Sequence, residues 1–490
     1  MILSSSLLNN FLSGYKRFFM NFLRLKDRFR LISYGTFTEL FDNLTQVEYR
    51  LEQDQFEFLH LFNGTKTKTE ILNTLSSEDR EVGEEFISNL EQLNALELVD
   101  KRVPCRFFPK SCEPYLESIN VDITSACNLK CRHCYVGKFY GGSKGEDLTK
   151  DDWFLFMDDI AEMNVRSIGI TGGEPTIYRD TREIIDYCLS QNVVVDSFFT
   201  NGIEINENWV DFLSNLRYPV GIYISLDGHR PELHAVIRGT EETFKKTLKA
   251  IHMFVEAGFK VNVNTSVNQY NLPYLLEMYE VVKELKVRRW RLAVPKPLGR
   301  FLSNANSLMI DWKTLYPIYT ELIDRHLSEI RILGGKLEVP VRIEIELLFR
   351  TEMVDNPINY FNRNSLVCFY YKNRCSIKSN GDVLSCAYYE DVPAGNLKKQ
   401  TIKEIWLGDE MRKTKNLMVK EIIECKDCEH LFFCGGGCRA IAFCITGDRY
   451  ARDPYACNQV PLFKQNIIPM IEKHGFSSVF KISEEGFEII

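Results

Sequence analysis

VDITSACNLKCRHCYVG, Val121–Gly137, is the stretch around which the chain is read. Within it Cys127, Cys131 and Cys134 stand as Cys-x3-Cys-x2-Cys, after a strand-like run from Ile119 to Thr124. Three thiolates in one loop can hold three irons of a cubane iron–sulfur cluster, whose usual protein ligand set is four cysteines. The fourth iron is left open, and an open iron can chelate the amino and carboxylate groups of a methionine. Spacing and open site together point to radical chemistry on S-adenosylmethionine. The competing reading is structural zinc, with His133 completing a Cys3His set. Zinc pairs usually belong to a small finger, whereas this loop opens a long alternation of strands and helices.

These residues, down to the aromatic Tyr135 after the last cysteine, resemble the radical SAM superfamily. The chain that follows repeats strand then helix six times, with strands expected at Ile119–Thr124, Ser167–Thr171, Val194–Thr200, Val220–Leu226, Val261–Val267 and Trp290–Val294. That alternation implies a parallel, barrel-like sheet, in which chemistry gathers in the loops at the C-terminal ends of the strands. The cysteines follow the first strand and Gly172-Gly173-Glu174-Pro175 the second; Asn201-Gly202, Asp227-Gly228, Asn268 and Pro295–Arg300 follow the others. Two glycines let backbone approach a ligand closely, and a neighbouring carboxylate can accept hydrogen bonds from an ammonium. The loop resembles the superfamily's methionine-amino-group motif, which makes Glu174 the expected contact. By the same resemblance Thr200, Asn201 and Ser225 line the cofactor pocket, and Arg238 in HAVIRG serves the cofactor carboxylate or the substrate. A core-facing Ser, or an Arg paired with a surface acid, accounts for these softer positions equally well.

At 490 residues the chain has material for two to four domains. Its formal net charge of −7, without a charged tail, gives no basic footprint for nucleic acid. Fifteen clustered cysteines, with no clear secretory signal, fit metal or cluster ligation in a reducing cytoplasm better than disulfides. Residues 1–27 are apolar, but Gly14, Lys16 and Arg17 interrupt them short of the roughly 20 residues a spanning helix needs. Leu8, Phe11, Leu12, Tyr15, Phe18, Phe19, Phe22 and Leu23 recur at helical steps, predicting an amphipathic helix that packs on the protein. A membrane-surface role, with Lys16, Arg17, Arg24 and Lys26 at the headgroups, is the weaker use.

Residues 28–100 read as strands at Phe29–Tyr34 and Val47–Leu51, then three helices: one running into an Asn63-Gly64 stop, one capped by Thr67 or Thr69, and one through Phe86, Ile87, Leu90 and Leu93. This order, around NGTKTKTEIL, resembles the winged-helix leader-recognition domain of peptide-modifying enzymes; any small winged-helix or dimerisation module shares the pattern. The resemblance implies a leader peptide added as a strand to a sheet edge. Residues 101–117, with Pro104, Pro109 and Pro114, read as a linker; Cys105 and Cys112 within it are given no role. Residues 311–365 carry a helix around Leu315–Leu327 and an alternating run, Leu337–Leu347, that reads as a strand or hairpin arm; the segment is taken as a bridge without a site of its own.

A second constellation follows. Cys368-x12-Gly381-x4-Cys386 precedes Cys425-x2-Cys428-x5-Cys434-x3-Cys438, and Cys457 lies eighteen residues later. These seven cysteines, with AGNLKKQTIKEIW between them, resemble the SPASM extension of radical SAM enzymes, which carries two auxiliary iron–sulfur clusters. The resemblance assigns Cys425, Cys428, Cys434 and Cys457 to an outer cluster and Cys368, Cys386 and Cys438 to an inner one. A zinc ribbon would use the Cys-x2-Cys pair but leaves Cys368 and Cys386 unrelated. Cys375 is either the fourth inner ligand or a packed residue; in the second case one iron could bind a substrate thiolate and lower its effective pKa. Cys188 and Cys444 read as ordinary buried cysteines.

The expected architecture is α/β: a partial (β/α)6 TIM-like barrel at 118–310, with the N-terminal winged-helix domain, a C-terminal cysteine-rich SPASM domain at 366–460 and a helical tail at 461–490. The resemblance to maturases of ribosomally made peptides implies three [4Fe-4S] clusters, S-adenosylmethionine, a flavodoxin- or ferredoxin-type reductant and a precursor peptide. It implies reductive cleavage to a 5′-deoxyadenosyl radical, hydrogen abstraction from the peptide, and closure of a carbon radical on a cysteine sulfur to give a thioether. Carbon–carbon crosslinking, oxidative decarboxylation and sulfatase-type maturation would use the same clusters. A non-catalytic peptide-binding or electron-transfer scaffold is the alternative from another class. No general base can be named from the sequence.

Overall fold

The six central strand-like runs form six adjacent parallel strands in a computed structural model of the protein, which describes residues 21–33, 38–99, 115–135, 147–333, 336–346, 349–354, 363–368, 370–389 and 392–476. The chain divides into two units, Met1–Tyr115 and Leu116–Ile490.

In the first unit β1 (Phe22–Leu25) lies between β5 (Asn63–Thr67) and β6 (Leu96–Val99), while β2 (Phe29–Ser33), β3 (Thr38–Asp42) and β4 (Val47–Leu51) form a separate antiparallel sheet. Helices Gln53–Leu59, Lys68–Leu72 and Arg80–Gln92 complete it, and Leu25, Phe29, Leu40, Leu59, Ile71 and Ile87 share its core. Thr67 caps the second helix: its hydroxyl accepts the Glu70 N–H, and Glu70 answers through the Thr67 N–H at 2.7 Å.

Two expectations change here. The helix expected over residues 1–27 is a strand in its described part, and residues 1–20 lie outside the described residues. Leu23 pairs with Leu98 and Leu25 with Leu96. A short apolar run fits helix or strand equally well, and here a partner some seventy positions away decided it. Asn63-Gly64 is not a helix stop: the helix ends at Leu59, and Asn63 opens β5. Cys105 and Cys112 lie outside the described residues.

In the second unit β7 (Ser118–Asp122), β8 (Ser167–Thr171), β9 (Val194–Thr200), β10 (Gly221–Ser225), β11 (Val261–Ser266) and β12 (Arg289–Ala293) are the expected strands in the expected order. Apolar residues such as Ile119, Ile168, Ile222, Val263 and Trp290 are buried. The alternate positions carry Asn120, Ser197, Tyr223, Ser225, Asn264 and Arg291, so one face of each strand is polar. The helices between strands are locally encoded: Thr149 with Asp152 boxes the start of Lys150–Glu162, and Asn206 caps Glu207–Ser214.

The sheet extends beyond six strands. An exposed hairpin of β13 (Arg331–Leu333) and β14 (Lys336–Glu338) leads to β15 (Arg342–Ile345), which pairs parallel with β12, and β16 (Phe349–Arg350) closes that edge antiparallel. On the other side β17 (Arg374–Ile377) pairs parallel with β7, followed by β18 (Asp382–Leu384) and β19 (Gly395–Asn396). The run expected to be a strand or hairpin arm therefore joins the sheet, and the start of the cysteine-rich region is the strand beside the cysteine loop. Helices Pro454–Leu462 and Ile468–Lys473 follow, and residues 477–490 are outside the described set. No described helix is long and apolar enough to cross a membrane.

Candidate active site

The cysteine loop leaves β7 and is held by its neighbours rather than by its own secondary structure. Asp147 accepts the Ser125 N–H at 2.8 Å and the Thr124 and Ser125 hydroxyls. Arg132 N–H donates to the Ile237 carbonyl, and the Arg300 N–H donates to the Cys134 carbonyl at 2.9 Å. The Gly-Gly-Glu-Pro loop packs directly on it: the Gly173 N–H donates to the Thr124 carbonyl at 2.7 Å and the Glu174 N–H to the Ala126 carbonyl at 2.8 Å. Gly172 has φ +136°, and a Cβ on Gly173 would collide with the Ala126 carbonyl. The close approach that requires these glycines is thus to the cysteine loop, not the expected ligand.

Glu174 is buried and ties three strand ends together. Its Oε1 accepts from Thr176 and from the Thr200 hydroxyl at 2.7 Å, and its Oε2 accepts the Asn201 N–H at 2.7 Å. Burial raises its pKa against these donors. Asn201 reaches back to the Asn128 side chain at 2.8 Å, so the third loop also touches the cysteine loop. Ser225 ends β10 on the polar face, paired with Asn264.

Arg238 lies elsewhere than on a surface acid. Its Nε donates to Asp227 at 2.6 Å and its Nη1 to Cys131 Sγ at 3.4 Å. Asp227 is fully buried; burial alone would raise its pKa, but the Arg238 guanidinium holds it below the usual carboxylate range. His234 accepts the Asp227 N–H through Nδ1, and burial pushes its pKa down to about 4. His234 and Asp147 are site-building residues that the sequence reading did not name, and Asp227 is one that it placed in the loop after strand four without a role. That position was the one signal that pointed to it.

The described cysteines fall into the three expected groups. Burial pushes Cys127 up to about 12, with Glu174, Cys131 and Cys134 adding negative charge. Burial raises Cys386, which senses Cys438 and Cys368. Burial pushes Cys434 up to about 11, and it senses Cys425, Cys428 and Cys457. Thiols so placed become thiolates only beside bound positive charge, which fits a metal centre in each group. Among the described residues no three His, Cys, Asp or Glu side chains are grouped as one ion would need. Two buried polar atoms lack a protein partner, His133 Nδ1 and Asn264 Oδ1 on the polar face, as a polar cofactor in the cleft would require.

Cys375 is fully buried in β17, paired with Ile119, and the Lys415 charge reaches both it and Cys368. Cys188 is buried, with its thiol at 3.4 Å from the Val193 carbonyl; Cys444, expected to be buried, is only partly so on helix Arg439–Thr446. Around the outer group Gly435, Gly436 and Gly437 all have positive φ, which returns the chain so that Cys438 starts the next helix. Asp453 accepts the Cys438 N–H at 2.7 Å and the Tyr455 N–H at 2.8 Å, joining that helix to the one bearing Cys457. Between the cysteine loop and the inner group, Tyr135 and Tyr388 meet edge to face at 5.4 Å. Lys378 stands over Tyr135 and donates to Asp122 at 2.9 Å, while Lys296 stands over Tyr388 and donates to Glu346 at 2.7 Å.

Comparison with known proteins agrees with this layout. Residues 121–288 match the radical SAM superfamily and residues 368–429 an iron–sulfur cluster-binding domain, SPASM. An AdoMet-dependent heme synthase from Methanosarcina barkeri is 28% identical over 340 residues, 68% of this chain and 94% of that protein. The sporulation killing factor maturation protein SkfB of Bacillus subtilis is 27% identical over 297 residues, 60% of this chain and 66% of that protein. The structure of Streptococcus suis SuiB bound to precursor peptide SuiA superposes with a TM-score of 0.64 at 16% identity, covering 89% of this chain and 99% of that one. The sheet thus carries a radical SAM domain and the cysteine-rich segment behind it a SPASM domain, and the chain is an enzyme that uses S-adenosylmethionine with several iron–sulfur clusters.

Proposed function

We propose that the protein is a maturase of a ribosomally made precursor peptide and joins a peptide cysteine sulfur to a carbon as a thioether. The observation that supports the bond type is the coupling of three thiols, Cys386 with Cys438 and Cys368, in the inner group: a centre held by three protein thiols leaves room for a substrate thiolate. Cys127, Cys131 and Cys134 hold the cluster that binds S-adenosylmethionine; Cys425, Cys428, Cys434 and Cys457 hold the outer one. When bound, these groups supply a 5′-deoxyadenosyl radical that takes a peptide hydrogen atom, and a sink for the electron left over.

The protein's own residues position the rest. Gly172, Gly173, Glu174 and Pro175, with Thr200, Asn201 and Ser225, shape the cofactor pocket. Arg238 acts through Cys131 and fixes that thiol. Cys428 and Cys457 are exposed, which suits electron exchange with a flavodoxin- or ferredoxin-type reductant. In the first unit β4 is a sheet edge with mostly exposed side chains, the kind of edge to which a leader peptide adds as a strand.

Heme synthase relatives favour a second reading, in which the substrate is a tetrapyrrole. The match to that relative leaves about a third of this chain uncovered, whereas the fold of the peptide-bound relative spans nearly all of it. The test is anaerobic reconstitution with iron and sulfide counting, then incubation with dithionite, S-adenosylmethionine and short cysteine-containing peptides translated from the open reading frames flanking the gene. Formation of 5′-deoxyadenosine, with loss of a pair of hydrogens and one alkylatable thiol from the peptide, is expected. Nucleoside with an unchanged peptide would sink the thioether reading; zinc without nucleoside would sink the radical one.

A further inference from the structure

Full charges are seldom buried in proteins, yet Lys296 and Lys415 are 8% and 5% exposed. Lys296 follows β12, the last expected barrel strand. It donates to Glu346 Oε2 at 2.7 Å, and Glu346 also accepts from Arg291 at 3.1 Å. The ammonium stands 5.7 Å from the centre of the Tyr388 ring, two residues beyond Cys386. Its charge is felt at both Cys386 and Cys438, where it opposes the effect of burial. Lys415 stands 3.1 Å from the Trp406 ring centre and donates to the Arg374 carbonyl at 3.3 Å. The Val367 N–H donates to the Leu417 carbonyl at 3.1 Å, which seats the Cys368 segment beside it, and its charge reaches Cys368. Lys296 thus stands as a buried ammonium near Cys386 and Cys438, while Lys415, whose pKa burial pushes down to about 7 against the pull of the Cys375 and Cys368 thiols, stands near Cys368.

The outer thiols are served differently. The buried Arg439 guanidinium holds the glycine turn by donating to the carbonyls of Gly436, Arg449 and Ala451, and its charge reaches Cys425 and Cys457, a guanidinium where Cys386 and Cys438 have a lysine ammonium. Arg452, which acts on Cys457, is exposed and screened by solvent.

We propose that Lys296, held by Glu346, is a positioning residue for electron uptake at the Cys368/Cys386/Cys438 centre, with Lys415 adding charge from the Cys368 side. This rests on those thiols being cluster ligands. When a carbon–sulfur bond forms, the peptide hydrogen leaves as an atom to the nucleoside radical, the thiol proton leaves, and one electron remains to be taken up. The centre that accepts it becomes one charge more negative. A fixed cation in a poorly solvated site stabilises that reduced state and makes the centre the better acceptor.

The experiment is an EPR-monitored redox titration of the reconstituted full chain, with iron counted, for the wild type, K296M, K296R, E346Q and K415M. Removing the ammonium in K296M shifts the inner centre to a more negative potential. Removing the carboxylate in E346Q shifts it to a more positive one, and K296R restores the wild-type value. The other two clusters do not move. Opposite signs in K296M and E346Q are a signature that general loosening of the site would not produce. Equal potentials in all variants, or shifts of one sign in both, overturn the inference while leaving the ligand assignment intact. If K296M fails to hold its iron, E346Q and K415M decide: no positive shift in the first and no negative shift in the second overturn it. A wild type lacking a third cluster overturns the ligand assignment itself.

Discussion

The inner and outer cysteine groups lie in one cysteine-rich segment but are built on different plans. The outer group is drawn from contiguous chain: short turns from Cys425 to Cys434, three left-handed glycines, and one helix bearing Cys457. Two of its cysteines are exposed. The inner group is assembled from distant pieces, with Cys368 before β17, Cys386 after β18 and Cys438 at a helix start, and it is walled by aromatic rings and buried lysines. A local set can be exposed because its backbone holds it in shape. A dispersed set depends on the sheet, and that dependence places it beside the substrate-facing loops.

The sharpest way to test the comparison is to remove ligands from each place. Replacing Cys127, Cys131 and Cys134 by Ala abolishes 5′-deoxyadenosine formation, measured by mass spectrometry. Cys386→Ala retains nucleoside formation but loses the crosslinked product, and iron per chain falls by one cluster; equal loss of nucleoside would merge the two sites. Next in size is the frame they share. Asp122→Ala leaves Lys378 buried without that carboxylate and should cost about 3–5 kcal/mol in chemical denaturation. Gly173→Ala should lower iron retention in the cysteine loop, since its Cβ has no room against Ala126. Cys375→Ala removes one packed sulfur atom and should cost about 1 kcal/mol while leaving the iron count unchanged. A lost cluster in that variant would make Cys375 the fourth inner ligand. Cys444→Ser, on a partly exposed helix face, should change stability by less than about 0.5 kcal/mol.

Much of the barrel was legible because each strand is a short apolar run followed by a chemically unusual loop, and parallel strands keep sequence order. Local pattern failed where a partner lies far away. β1 took the form of a strand through pairing with β6, and the run after Leu337, legible as a strand or hairpin arm, found its place in the sheet only through pairing with β12. Lys296 and Glu346 escaped notice for the same reason. One follows β12 and the other follows β15, and they meet because those strands are neighbours. Arg238 was visible as a candidate, but its partner could be found only where the loops after strands one and four approach each other.

Sequence alone determined the chemistry: the cysteine spacings state how many thiols stand together and at what intervals, and the strand–loop alternation states on which end of the sheet they lie. Tertiary structure alone decided which thiols are brought near one another, that Cys375 is buried in the strand beside Ile119, and which charges surround them. The first kind of information is carried by neighbours along the chain. The second depends on contacts between residues tens to hundreds of positions apart, which no local pattern records.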